Sequence, residues 1–223
     1  MTAPDEVWRG LRVVAAEDVR SEKRPVVPPE VLRAAGQIIE DVRREGEAGL
    51  RRLGERWDGL AQGEALVLGP EELAAAKDDC SPGDLATLER SAARITAFAE
   101  AQKASASSVR VEVDGGLAGD RLVPVRVAGC YAPGGRYPLP SSVLMTAVTA
   151  RVAGVGEVWV ASPRPSTVVK AAAAVAGADG LLVVGGAQAI AAMAYGVGPV
   201  PECDVVVGPG NHWVTAAKLL LSG

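Results

Sequence analysis

The chain has few of the residues that usually mark a metal or nucleophilic site. Its 223 residues include one histidine, His212, and three cysteines, Cys80, Cys130 and Cys203. An odd, widely spaced set of cysteines with no C-x-x-C excludes a disulfide framework or a zinc knuckle. They read as small buried hydrophobes. A lone histidine with no Cys or carboxylate cluster nearby does not build a metal site. No apolar run approaches the roughly 20 residues of a membrane span, so no membrane partner is expected. The opening MTAPDEVWRG lacks the basic and apolar regions of a signal peptide, which makes cytoplasm the expected compartment. A formal charge of −4 argues against nucleic acid or an acidic surface as the main partner. The G-x-G-x-x-G fingerprint is also missing after the first strand of the later half.

What is present divides along the chain. Residues 1–110 carry 36 of the 50 charged side chains, and the remaining 113 residues carry 14, seven of each sign. The first part therefore reads as helices with solvated outer faces, the second as a buried sheet with helices of small residues. Residues 1–29 read as an arm ending at Pro28-Pro29. Residues 30–122 read as a mostly helical, incomplete α/β domain. Its first helix carries Val31, Leu32, Ala35, Ile38, Ile39 and Val42 on one face. Gly46 interrupts it, and a second short helix stops at Asp58-Gly59. A strand at 65–68, a helix from Pro70 and a longer helix from Ser81-Pro82 follow, the last lined by Leu85, Leu88, Ala92, Ile95 and Phe98. Val109, Val111 and Val113 alternate with charges, as in an exposed antiparallel strand ahead of a turn at Asp114-Gly115-Gly116. From residue 123 the order becomes β-α-β-α-β-α-β-α, with Ser141-Ser142 expected to cap the first of these helices. This alternation implies a Rossmann-like open parallel sheet over 123–223, with a ligand crevice beyond its strand carboxyl ends.

Three polar residues fall at those ends. Tyr131 closes the strand before Gly134-Gly135, Gln188 follows Gly185-Gly186, and Asn211 follows Gly208-Pro209-Gly210. Glycine turns allow close approach of backbone, and the N–H groups of the next helix attract phosphate. A tyrosine can pack on or hydrogen-bond an adenosine. The two carboxamides can both donate and accept, as ribose hydroxyls and amides require. Each also has a plain reading: Asn211 as a helix N-cap, Gln188 as a solvated helix residue, Tyr131 as a half-buried aromatic. Their placement at equivalent ends of successive strands favours a shared dinucleotide site. Lys218, Arg136 and Arg164 read first as surface cations, and His212 as a solvent-facing or packed side chain.

The segments YAPGGRYPLPSSVLMTAVTARVAGV, VGGAQAIAAMAYG and DVVVGPGNHWVTAAK closely resemble the N-terminal half of histidinol dehydrogenase. The stretch IIEDVRREGEAGLRRLGERWDG looks like the first helical region of that family. The resemblance covers most of residues 30–223. It implies an NAD-dependent oxidation of L-histidinol to L-histidine in an intertwined homodimer with a zinc ion at each site. It also implies NAD contacts at Tyr131, Gln188 and Asn211, the residues chosen by strand position. The family's zinc ligands and acid/base pair match no residue here, so no catalytic or metal-binding residue is assigned. The resemblance thus points to a shortened chain carrying the cofactor half, with a second copy or a partner chain completing it. Residues 30–120 should then show an exposed apolar face, and the stretch 136–140 is a variant of the family's loop. The alternative is a non-catalytic NAD-binding or assembly module derived from that family.

Overall fold

A computed structural model describes residue 15 and residues 27–134 and 138–222. The expected arm, apart from its last residues, and Arg136-Tyr137 lie outside the described residues. Helix α1 (Pro29–Leu53) buries Ala35, Ile38, Ile39, Val42, Leu50 and Leu53, the face its apolar spacing sets. Gly46 adopts φ 61, ψ −138 within it, so the expected interruption is a kink in one helix. A π-helical turn, Gly54–Asp58, ends it at Gly59 in the left-handed region.

Strand β1 (Val67–Leu68) precedes α2 (Pro70–Asp78) and α3 (Pro82–Ser105). Ser81 caps α3 by accepting from the Asp84 N–H at 3.1 Å. Phe98, expected on the inner face of α3, is instead 67% exposed, while Leu88 is buried. The buried stripe of α3 runs through Leu88 and Ala99 with Ile95 half-buried, and Phe98 falls to one side of it. Strands β2 (Arg110–Val113) and β3 (Gly116–Gly119) form an antiparallel hairpin exposed along its length.

The rest alternates as read: β4 (Val127–Tyr131), α4 (Pro140–Ala153), β5 (Glu157–Ala161), α5 (Thr167–Val175), β6 (Gly180–Leu182), α6 (Gly186–Tyr195), β7 (Val205–Val207) and α7 (His212–Leu221). The sheet order is β1-β6-β5-β4-β7. Strands β4 to β7 are parallel, and β1 pairs antiparallel on the β6 edge. Helix α1 packs on α6 and α7, while α2 packs on α5 and α3 on α4 and α5. The sheet is thus covered on both faces, which is why its strands are apolar runs rather than alternating ones. Val127, Val158, Val160, Leu181 and Leu182 are fully buried at its centre. The expected Ser141-Ser142 cap does not form: α4 starts at Pro140, with Leu139 at the N-cap and no side-chain cap bond. Proline's fixed φ suits the first helical position and moves the start at least two residues earlier.

Candidate functional site

The parallel strands deliver their carboxyl ends to one rim, and the β6–α6 turn is its centre. Gly185 is extended, and Gly186 takes φ +64 at the first position of α6. A Cβ on Gly186 would sit 2.8 Å from Gln188 Oε1, so a side chain there would both strain the backbone and displace the amide. The Gly186 N–H donates to the Tyr131 hydroxyl at 3.1 Å. Tyr131 and Gln188 therefore both lie against the β6–α6 turn, although β5 separates their strands.

Both side chains are almost closed off from solvent, at 3% exposure each. The plain alternatives, Gln188 as a solvated helix residue and Tyr131 as a half-buried aromatic, do not hold. Gln188 turns inward because a buried carboxylate waits for it. Asp58 Oδ2 accepts from the Gln188 amide at 2.9 Å and from the Gly185 N–H at 3.0 Å. Asp58 is 7% exposed, and burial raises its carboxyl pKa above the ordinary 3.8, against the lowering effect of those two hydrogen bonds and of Arg164. Burial likewise pushes the Tyr131 phenol up.

Sequence reasoning missed Asp58 because Asp-Gly reads as a helix stop. One signal was available. A carboxylate at a helix C-terminus opposes the helix dipole, so its presence calls for a partner elsewhere. The π-turn supplies the geometry: it brings Gly54 against Val184, where a Cβ would be 2.8 Å from that side chain, and sets Asp58 under the β6–α6 turn.

Asn211 stands on the far side of β4, at the end of β7. Its plain reading holds: Oδ1 caps α7 by accepting from Trp213 and Val214 N–H groups at 3.0 and 3.2 Å. Among the described residues it makes no hydrogen bond to Tyr131 or Gln188, yet its turn is adjacent. Gly208, at φ +118, lies so close to the Tyr131 backbone that a Cβ would collide with the Tyr131 carbonyl. Lys218, read as a surface cation, instead donates to the Gly208 carbonyl at 2.7 Å and holds this turn; burial lowers its pKa. His212 is exposed at the first position of α7.

The hydrogen bonds also set which end of each carboxamide is left uncommitted. Gln188 has its NH2 on Asp58, which leaves Oε1 to accept. Asn211 has Oδ1 in the cap, which leaves its NH2 to donate. Cys130 and Cys203 are buried, with thiol pKa values raised to about 11 and about 12 by desolvation. Such thiols are inert, in keeping with the packing role expected of them.

Fold and rim together define an open, doubly covered α/β protein with its polar cluster at the strand carboxyl ends. A family model described as histidinol dehydrogenase matches residues 22–223. Histidinol dehydrogenase of Cupriavidus pinatubonensis is 42% identical over 200 residues, 86% of this chain and 45% of that protein. The Burkholderia mallei enzyme is 40% identical over 224 residues, 94% of this chain and 50% of its own. The crystal structure of histidinol dehydrogenase from Elizabethkingia anophelis superposes with a TM-score of 0.79 at 27% identity, covering 89% of this chain and 47% of that one. The chain belongs to the histidinol dehydrogenase family and spans about half the length of the curated relatives it matches.

Proposed function

We propose that this chain is the cofactor-contacting half of a histidinol dehydrogenase, an NAD-dependent oxidoreductase of histidine biosynthesis that converts L-histidinol to L-histidine. The observation that carries the reading is the cluster at the β6–α6 turn, where Tyr131 accepts from the Gly186 N–H and Asp58 from the Gly185 N–H and the Gln188 amide. NAD fits the rim by its chemistry. A hydroxyl, an uncommitted acceptor on Gln188 and an uncommitted donor on Asn211 match the hydroxyls and carboxamide of a dinucleotide. The two rim glycines that a Cβ would crowd, Gly186 and Gly208, keep the backbone open to it. When bound, NAD would supply the hydride acceptor. The chain's own part is to bind and orient: Tyr131 at the end of β4, Gln188 over the β6–α6 turn, Asn211 at the head of α7.

The residues described do not fit zinc, since no group of three or more His, Cys, Asp or Glu side chains comes together among them. No step is derived through that metal. Removing the alcohol proton needs a base within hydrogen-bond reach of it. Asp58, the buried carboxylate at the rim, is committed to Gly185 and Gln188. We infer that the acid/base groups come from further polypeptide, in a homodimer or a complex. Exposed Phe98, Met145, Val111, Val113 and Leu117 support this as surface for a protein partner. Among the described residues no helix is long and apolar enough to cross a membrane.

Trp213, two residues past Asn211 and 39% exposed, is a built-in reporter. Titrating NAD into the purified chain should quench its fluorescence saturably, and Gln188→Leu should weaken that response. The chain alone, given histidinol, NAD and zinc, should form no NADH. Appreciable turnover by the chain alone, or no NAD response at all, would remove the proposal.

A further inference from the structure

The β5–α5 connection holds one side chain near the rim cluster in a costly conformation. Arg164 has φ +46, the one positive φ outside glycine among the described residues. It stands between Pro163 and Pro165, and a residue before proline ordinarily keeps to extended backbone. Such a conformation persists where the surroundings fix it, and it gathers at functional sites. Here the side chain reaches the end of the π-turn: Arg164 Cδ lies 3.7 Å from a Cβ built on Gly59, the residue after Asp58. Arg164 and Asp58 line one cavity of about 250 Å³.

Asp58 has reason to need a cation. It is buried at the carboxyl end of a helix, where the dipole disfavours negative charge. Burial raises its carboxyl pKa, while the Gly185 and Gln188 hydrogen bonds and then the charge of Arg164 oppose that rise. The other titratable groups around it are Glu64 and Lys170, which line the same cavity, and the Tyr131 phenol from β4. Glu64 is engaged by the Ala61 N–H at 2.8 Å, and Arg56, on the same turn as Asp58, lies over the Trp57 ring. Of the three cations, Arg164 is the one whose charge bears on Asp58.

The charge on Asp58 governs what Gln188 presents. A carboxylate can only accept, so it takes the Gln188 NH2 and leaves Oε1 uncommitted. A protonated Asp58 has a hydroxyl to donate and can turn the amide over, committing Oε1 instead. We propose that Arg164 is a positioning residue of the cluster: its side chain, laid against Gly59, holds Asp58 as the carboxylate that keeps Gln188 Oε1 available to a ligand. That the ligand is NAD rests on the function proposed above.

The test uses the purified chain and its Arg164→Gly, Arg164→Lys and Gln188→Leu variants. Glycine adopts φ +46 freely, so Arg164→Gly removes the charge without straining the turn. Carboxyl-carbon NMR follows the ionisation of Asp58 against pH, and the Gln188 side-chain amide protons report the turn of the amide. The Asp58 midpoint should move to higher pH in Arg164→Gly and return toward the parent's in Arg164→Lys, with the Gln188 amide signals changing at the same midpoint. Between the parent and Arg164→Gly midpoints, Arg164→Gly should bind NAD about fivefold more weakly, the difference between a charge-assisted and a neutral contact. Above both midpoints the two should bind alike, and Gln188→Leu should remove this pH dependence. An Asp58 midpoint unchanged in Arg164→Gly overturns the proposal, as does a moved midpoint that leaves the Gln188 amide signals where they were. If midpoint and amide move together while no form of the chain binds NAD, the cofactor reading is overturned and the role of Arg164 toward Asp58 stands.

Discussion

At the scale of single residues, Asp58 decides how the rim is built. It joins the end of α1 to a turn more than a hundred residues later, accepting from the Gly185 N–H and the Gln188 amide. Asp58→Ala would strand both donors in a site shielded from water, at a cost of about 1–3 kcal/mol for each group left unsatisfied. Urea unfolding measures that loss, and NAD titration should show Gln188 no longer held. The carboxylate also has a pH signature. Its folded pKa is raised above 3.8, so the native state holds its proton more tightly than the unfolded chain does. The contribution from this group is full below the unfolded value and is lost as pH rises through the folded one. Measured against Asp58→Asn, the parent chain should therefore lose relative stability as pH rises from the ordinary carboxyl value through the raised folded one. A flat difference would show that the carboxyl titrates normally.

At the scale of elements, the turns carry the information. Gly186→Ala would meet both the left-handed φ and the Gln188 Oε1 atom, with an expected cost of about 1–2 kcal/mol and weakened NAD binding. Capping gives a sharper contrast. Ser81→Ala removes the acceptor for Asp84 N–H and should cost about 1 kcal/mol. Ser141→Ala and Ser142→Ala should each cost little, because α4 has no side-chain cap. Chemical denaturation of the three variants separates these outcomes. Most of the elements were legible beforehand. Apolar spacing gave α1 its buried face, Gly46 marked a real kink and Gly59 a real end. The short runs at Val127–Tyr131, Glu157–Ala161 and Val205–Val207 are strands. Phe98 was misplaced because it lies off the line through Leu88, Ile95 and Ala99, and how wide a helix face is covered depends on packing rather than on period.

At the scale of the whole molecule, the three cysteines offer a test of the core. All are buried, and the raised values at Cys130 and Cys203 keep those two as thiols. A thiol reagent should modify Cys130 and Cys203 only after denaturant is added, in step with loss of helical circular dichroism. Prompt labelling in native buffer would mean the sheet is open. The sequence by itself determined the alternation of strand and helix and the strand-end positions of Tyr131, Gln188 and Asn211, because period, glycine placement and small-residue helices are local properties. Only the tertiary structure decided which of these residues touch. Strand order β6-β5-β4 brings Tyr131 to the turn that carries Gln188, the β7 edge keeps Asn211 apart as a cap, and Asp58 enters from beyond the end of α1. Hydrogen bonds between residues this distant in the chain depend on how the layers stack, which no local pattern encodes.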